Sequence, residues 1–112
     1  MDCIFCRIAA GGIPSNKLYE DEQVLAFYDI DPKAPVHFLV IPKQHIASAD
    51  ELTAQNSGIA AHVFEVIASV AKTLELQNGY RVVTNVGTDG GQSVPHLHFH
   101  ILGGRALAWP PG

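Results

Sequence analysis

The sequence predicts an α+β fold: a five-stranded antiparallel sheet with one long helix on one face and a short N-terminal helix. Two observations lead to this prediction. Only one stretch carries a long apolar stripe at helical spacing, whereas five shorter apolar stretches have the length and composition of strands. Because 47% of the 112 residues are hydrophobic, residues 1–112 are expected to form one domain with one core.

A short helix and three strands are predicted for the first part of the chain. The helix covers residues 3–14, where the pair Gly11–Gly12 ends it. Residues 17–21 and 23–30 are predicted to form a hairpin, because their side chains alternate between two faces. Residues 36–42 form the third strand, and a proline ends it.

The long helix is predicted over residues 57–76. Its apolar side chains are spaced four, three, one, three and four residues apart, which places them on one stripe. They are Ile59, Val63, Val66, Ile67, Val70 and Leu74. Asn78 and Gly79 end the helix.

Two further strands and a tail complete the predicted fold. The strands cover residues 80–86 and 96–102, and a glycine-rich loop over residues 87–95 joins them. The tail over residues 103–112 contains two prolines and two glycines besides the terminal one, so it is not expected to form a regular helix. The resulting order is β-β-β-α-β-β.

Charge and hydropathy exclude several classes of protein. The net charge is -4 and no run of like charges occurs, so nothing indicates electrostatic binding of nucleic acid or of a membrane surface. No apolar stretch reaches the length of about 18 residues that a membrane span requires, and the N-terminus does not have the pattern of a signal peptide. We expect a soluble, cytoplasmic protein.

Half of the six histidines lie within residues 96–100, in the stretch "HLHFHIL". Since strand side chains alternate, His96, His98 and His100 are expected to share one face while the apolar residues between them enter the core. Three imidazoles on one face indicate a chemical site. Two chemistries fit: binding of zinc or iron, or covalent catalysis at phosphorus with a neutral imidazole as nucleophile.

The preceding loop, "TDGGQS", favours the second of these chemistries. Gly90 and Gly91 allow a close approach of the backbone, so that N–H groups can face an anion, and Ser93 adds a hydroxyl. No lysine or arginine follows until Arg105. The loop therefore fits a singly charged phosphodiester-like or phosphoramidate group better than a triphosphate.

The stretch "HLHFHIL" resembles the pattern that names the histidine triad (HIT) superfamily. The segments "DGGQSV", "HFLVIPKQHI", "LAFYDI" and "LGGRALAWPPG" are similar to its histidine triad nucleotide-binding (Hint) branch, and the likeness covers essentially the whole chain. The resemblance implies a HIT-like fold, a homodimer with one continuous sheet, and a purine nucleotide site on each subunit. It also implies hydrolysis of nucleoside phosphoramidates of the adenosine 5′-monophosphoramidase type.

The resemblance assigns a role to each matching residue. His98 would be the nucleophile, His100 and Ser93 would contact the α-phosphate and bridging atom, and His37 would support proton movement with His96. Asp29 would bind the ribose. The remaining nucleotide contacts would come from the phosphate loop and from an apolar base pocket, namely Asn85, Gly91, Gln92, Ile4, Phe5, Ile13, Phe27 and Ile30.

The pair Cys3 and Cys6 has the spacing of half a tetrahedral zinc site, although a redox pair or two small buried side chains also fit the spacing. Zinc-containing bacterial HIT proteins join such a pair to two histidines. That resemblance implies a structural zinc on Cys3, Cys6, His45 and His96, with no metal required at the phosphorus. A zinc-bound His96 could not shuttle protons and would instead fix the chain beside His98.

Three other functions are compatible with the motifs. The chain could be a dinucleoside polyphosphate hydrolase of the same superfamily, a nucleotide- or zinc-binding interaction protein without catalysis, or a metal enzyme that uses all three triad histidines. Val86 and Pro95 stand where an acidic and an aromatic residue are expected in Hint relatives, so the preferred leaving group stays open.

Overall fold

Five antiparallel strands form one sheet in the computed structural model, which describes residues 3–112. The strands are β1 (Lys17–Glu20), β2 (Val24–Tyr28), β3 (Val36–Pro42), β4 (Tyr80–Val83) and β5 (Phe99–Gly103). Their order across the sheet is β1-β2-β3-β5-β4, so β1 and β4 are the edges. This arrangement confirms the predicted α+β fold.

Two helices lie on opposite faces of this sheet. The short helix α1 spans Ile4–Ala9, less than predicted, because Gly11 takes a φ of 81° that ends it. The long helix α2 spans Gly58–Thr73 and buries the predicted stripe against β3. A 3₁₀ turn over Ala49–Glu51 was not predicted. No helix within residues 3–112 combines the length and apolarity that crossing a bilayer demands.

Strand alternation divides the interior into two apolar clusters. In β3, Phe38 and Val40 face α2, whereas Leu39 and Ile41 face α1. The cluster on the α1 face is the smaller one, and its buried members are Cys3, Phe5, Ile8, Leu25, Phe27, Leu39 and Ile41. The histidine-rich segment borders this smaller cluster, since the rings of His96 and His98 both contact Phe5.

Four of the five predicted strands are longer than the observed ones, β4 and β5 among them. β5 begins at Phe99 rather than at residue 96, because the pairing with β3 ends where Val40 meets Phe99. Upstream of that pair, Leu97 instead donates its N–H to the carbonyl of Ile46 at 2.6 Å. β4 likewise ends at Val83 rather than at residue 86, because Val83 pairs with the second residue of β5.

A side-chain clamp joins the first hairpin to the long helix. Asp21 accepts the N–H groups of Gln23 and Val24 through one oxygen, at 2.8 and 2.9 Å. Its other oxygen accepts the hydroxyl of Tyr19 and lies 2.6 Å from Nε2 of His62 in α2. This hydrogen bond raises the pKa of His62, against the lowering effect of burial. This contact therefore holds the hairpin against α2, and folding favours the protonated form of the imidazole.

We expect the stability contributed by His62 to depend on pH. A pKa raised by folding stabilises the native state fully below the ordinary histidine value of about 6.5, and this stabilisation is lost as the pH rises through the folded-state value. The variant His62→Asn should therefore melt about 2–4 °C below the wild type at acidic pH. The difference should shrink towards alkaline pH.

Thermal unfolding at a series of pH values from mildly acidic to alkaline checks this expectation. Glu22→Gln, which changes an exposed charge in the same turn, is the control and should show no such trend. A difference for His62→Asn that is the same at every pH would contradict the assignment.

Candidate active site

Two cysteines and two histidines from three segments meet beside α1. Cys3 Sγ lies 3.4 Å from Nδ1 of His96, and Cys6 Sγ lies 3.3 Å from Nδ1 of His45 and 3.5 Å from Nδ1 of His96. The two Nδ1 atoms are 3.2 Å apart. Since all four donor atoms lie within 4.8 Å of one another, the cluster could hold a metal ion.

Hydrogen bonding leaves His96 with the tautomer that such a cluster needs. Its Nε2 lies 2.8 Å from the carbonyl oxygen of Pro42, and a carbonyl only accepts, so Nε2 carries the proton. Nδ1 therefore turns its lone pair towards the two sulfurs. His96 is fully buried, and burial lowers its pKa, which keeps the ring neutral. Because both ring nitrogens are engaged, His96 has no atom with which to shuttle protons.

The second triad histidine, His98, is oriented by the backbone. Its Nδ1 lies 2.6 Å from the carbonyl oxygen of His96, so Nδ1 donates and Nε2 keeps its lone pair. The Phe5 ring meets the His98 ring edge-on at a centroid distance of 5.0 Å, and Thr84 Oγ1 donates to the His98 carbonyl at 2.8 Å. Ring and backbone are therefore both fixed, and His98 is 5% exposed.

His100 and His37 form a hydrogen-bonded pair on neighbouring strands. The N–H of Lys33 donates to Nδ1 of His37 at 3.0 Å, so the proton of a neutral His37 lies on Nε2. That Nε2 is 2.9 Å from Nδ1 of His100, which must then accept, leaving the His100 proton on its own Nε2. The series of hydrogen bonds thus gives His100 an outward-facing N–H donor.

The charge of this pair is set by burial and by one carboxylate. Burial, followed by the nearby His98 and His37, lowers the pKa of His100 to about 4. Burial also lowers the pKa of His37, while the neighbouring Asp29 opposes that shift. Asp29 Oδ2 lies 3.4 Å from His37 Nε2 and 3.9 Å from His100 Nδ1. Both imidazoles are therefore neutral at physiological pH.

Asp29, His37 and His100 also lie close enough together to suggest a second metal site. The hydrogen bond from Lys33 argues against it, because it places a proton on the very Nε2 of His37 that would have to bind the ion. The three residues therefore form a hydrogen-bonded group with one carboxylate and two neutral imidazoles rather than a metal site.

The glycine-rich loop approaches itself closely enough to require glycine at one position. A Cβ on Gly90 would lie 2.3 Å from the carbonyl oxygen of Val86, whereas Gly91 needs its φ of 77°. Asn85 Nδ2 donates to the Gly90 carbonyl at 2.6 Å. The Gly91 N–H donates to Thr88 at 3.0 Å, so that group is already paired within the turn.

The next two loop residues differ in their contacts. Ser93 is exposed, and within residues 3–112 neither its hydroxyl nor its N–H makes a hydrogen bond. It is thus available to a ligand. The side chain of Gln92 is engaged inside the protein, with Ala47, Val94 and Gly87. The sequence suggested a direct nucleotide contact for Gln92, but its amide is used within the loop.

The expected base-pocket residues separate into two groups. Phe5 and Phe27 are buried, 8% and 5% exposed, with ring centroids 5.9 Å apart, and Ile13 packs on the same cluster. Ile30 is fully exposed and Ile4 is 50% exposed, and their contact with a base stays a prediction. Phe5 therefore supplies the apolar ring next to His98, and Phe27 packs behind it.

Several residues of this site are not recognisable from sequence. The orienting groups are the carbonyl of Pro42, the N–H of Lys33 and the hydroxyl of Thr84. Two of these are backbone groups, whose role does not depend on residue type. For Thr84 the only available signal is its position at the end of a predicted strand facing the histidines.

Comparison with known proteins places these features in a family context. A family model for the HIT domain matches residues 10–107 of the chain. An uncharacterised HIT-like protein from Synechococcus elongatus is 50% identical over 111 residues, which cover 99% of this chain and 97% of that protein. The HIT domain match begins after Cys3 and Cys6, so the two thiols lie outside it.

Solved structures show the same fold. A HIT family hydrolase from Legionella pneumophila is 46% identical and superposes with a TM-score of 0.97, covering 99% of this chain and 100% of that chain. A histidine triad nucleotide-binding protein from Candida albicans is 34% identical with a TM-score of 0.83, covering 97% and 83% respectively.

We expect the cluster around Cys3 to bind a divalent metal ion at about one equivalent per chain. His45→Ala removes one of four ligands and should leave little metal bound after gel filtration. His62→Ala removes a histidine outside the cluster and should leave the metal content unchanged. Elemental analysis of untagged protein measures both, and wild-type protein with no metal above background would contradict the expectation.

Proposed function

The chain belongs to the HIT domain family, and from this premise we propose that it hydrolyses nucleoside phosphoramidates in the manner of an adenosine 5′-monophosphoramidase. The products are a nucleoside 5′-monophosphate and an amine. The observation that carries the proposal is the hydrogen bond from His98 Nδ1 to the His96 carbonyl, which fixes the ring and leaves the Nε2 lone pair of the neutral imidazole as the nucleophile. The solved Legionella pneumophila relative is named a hydrolase, which is consistent with it.

The proposed reaction proceeds by two in-line displacements. In the first, Nε2 of His98 forms a bond to the α-phosphorus while the P–N bond to the amine breaks. In the second, water forms the new P–O bond while the P–Nε2 bond of the nucleotidyl-histidine breaks. The Nδ1–H bond to the backbone supports the positive charge that the imidazole gains when it is phosphorylated.

The leaving amine must gain a proton in the first step. His100 carries its proton on Nε2, and that tautomer follows from its hydrogen bond with His37. Together with the unpaired hydroxyl of Ser93, it forms the proposed route for the proton. Asp29 beside the pair stabilises the charge that passes through it.

A purine nucleotide is the proposed substrate. The buried rings of Phe5 and Phe27 offer an apolar surface for the base, and Asp29 offers a carboxylate for the ribose hydroxyls. The free N–H and hydroxyl of Ser93 suit the phosphate. The Candida albicans relative, which is named a nucleotide-binding protein, supports this substrate class.

Zinc is the metal that the cysteine–histidine cluster fits best. Tetrahedral zinc, with bonds of about 2.0 Å to nitrogen and 2.3 Å to sulfur, separates two nitrogens by about 3.3 Å and a nitrogen from a sulfur by about 3.5 Å. The corresponding separations are 3.2 Å and 3.3–3.5 Å. With four protein ligands the site would be structural. Thiolate ligands persist in a reducing compartment, which fits a cytoplasmic protein.

We also propose that the protein is a homodimer. β4 is an edge strand whose backbone groups can pair with a second copy, as the continuous two-subunit sheet of the Hint branch requires. Phe64 on α2 and Tyr80 on β4 are 50% and 39% exposed. Such apolar side chains are typical of a surface that another subunit covers.

Trapping the covalent intermediate tests the proposed function. Wild-type protein mixed with adenosine 5′-phosphoramidate and quenched in acid should show a nucleotidyl mass increment that maps to His98. His98→Asn should lose turnover by at least about a thousandfold, since the nucleophile is removed, while binding of AMP survives. His62→Asn is the matched control and should keep full turnover.

Turnover that persists in His98→Asn, or an increment mapped to another histidine, would refute the mechanism. Faster turnover of a dinucleoside tetraphosphate than of the phosphoramidate would favour the polyphosphate hydrolase instead.

Sedimentation velocity tests the dimer. We expect wild-type protein to sediment with twice the chain mass, and Tyr80→Pro to shift the population towards monomer, because proline removes a backbone donor and disfavours strand pairing at that edge. The control is Tyr19→Pro on β1, the opposite edge of the sheet, which should leave the dimer intact. A monomeric wild type would contradict the proposal.

A further inference from the structure

Gln92 uses both N–H donors and the carbonyl oxygen of its side-chain amide within the protein. Its Nε2 donates to the carbonyl of Ala47 at 2.7 Å and to that of Val94 at 3.0 Å, and its Oε1 accepts the N–H of Gly87 at 3.1 Å. The backbone N–H of Gln92 returns a bond to the Gly87 carbonyl at 3.0 Å. Both N–H donors of the amide are therefore used, and a carboxamide has no other donor to offer a phosphate.

These contacts tie the glycine-rich loop over residues 87–95 together. The pair of bonds with Gly87 joins the start of the loop to its end. The bond to Val94 passes over Ser93, because it links the residue before Ser93 to the residue after it. The bond to Ala47 anchors the whole loop to the segment that follows β3.

The closed loop carries Ser93, whose hydroxyl and N–H are the groups proposed to bind the phosphate. Ser93 keeps an unpaired hydroxyl and N–H within the described part of the chain, whereas Asn85 and Gly91 are tied into the turn itself. A phosphate site built from one exposed residue needs that residue's backbone to be set before the ligand arrives, since ordering it on binding would cost affinity.

We propose that Gln92 is a positioning residue, which sets the backbone of Ser93 for the nucleotide phosphate and does not itself touch the nucleotide. This inference rests on the proposed function, because it names what prepares that site. It also distinguishes Gln92 from a phosphate ligand, the role that its place in the loop would suggest.

The substitution Gln92→Met tests the inference, because methionine has similar length and lacks both the donors and the acceptor. We expect the affinity for AMP to fall about tenfold or more while the affinity for adenosine, which has no phosphate, stays within about twofold. In nucleotide-free protein the Gly87 amide should exchange with solvent faster. Gln77→Met, at an exposed position after α2, is the matched control and should change none of these quantities.

A direct contact predicts a different result. If Gln92 bound the phosphate, AMP affinity would fall while exchange at Gly87 stayed unchanged, and the inference would be wrong. Equal losses for AMP and adenosine would show a general structural role and would also overturn it. If Gln92→Met does not fold, the side-chain amide protons of wild-type Gln92 decide the matter, since they must be protected from exchange before any nucleotide is added.

The two proposals fail separately. Wild-type protein that binds AMP more tightly than adenosine but forms no adduct on His98 would refute the hydrolase and leave the role of Gln92 intact. Wild-type protein that binds AMP no more tightly than adenosine would refute the role of Gln92.

Discussion

The alternation of side chains along residues 96–101 is the constraint on which the site depends. Three apolar side chains of this segment are buried between the sheet and α2, at 4% exposure or less, namely Leu97, Phe99 and Ile101. Their burial fixes the opposite face for the three histidines, which lie where the sheet meets α1. A shift of one residue would move hydrophobic side chains out of the core, so the stability of the fold itself maintains the placement of the imidazoles.

Within that face, hydrogen-bond partners decide what each imidazole can do. The Pro42 carbonyl turns the lone pair of His96 towards the thiols, and the His96 carbonyl turns the lone pair of His98 away from the backbone. The hydrogen bond with His37 gives His100 the tautomer opposite to that of His98, with its proton on Nε2. These tautomers suit the three roles proposed for the histidines, namely metal ligand, nucleophile and proton donor. Carbonyls and N–H groups control this outcome because each can play only one role in a hydrogen bond.

Much of this arrangement was accessible from the sequence, because it follows from local patterns. The helical stripe predicted α2, and the alternating histidines predicted the shared face. The features that the sequence did not predict depend on residues distant in sequence. The start of β5 is set by where β3 stops pairing. The tautomers depend on backbone groups such as the N–H of Lys33, which no residue type reveals.

The shortness of α1 has a thermodynamic consequence. A six-residue helix is unstable alone, so its position depends on the contacts at Cys3, Phe5 and Cys6. The two thiols belong to the cysteine–histidine cluster. The ring of Phe5, between them in sequence, contacts His98 and borders the proposed base pocket. An ion at this cluster and a nucleotide at the proposed site would therefore both favour the same docked helix, and their binding would show positive cooperativity. Linkage is reciprocal, so a nucleotide bound at the proposed site would raise the affinity of the cluster for its ion, measured against a competing chelator.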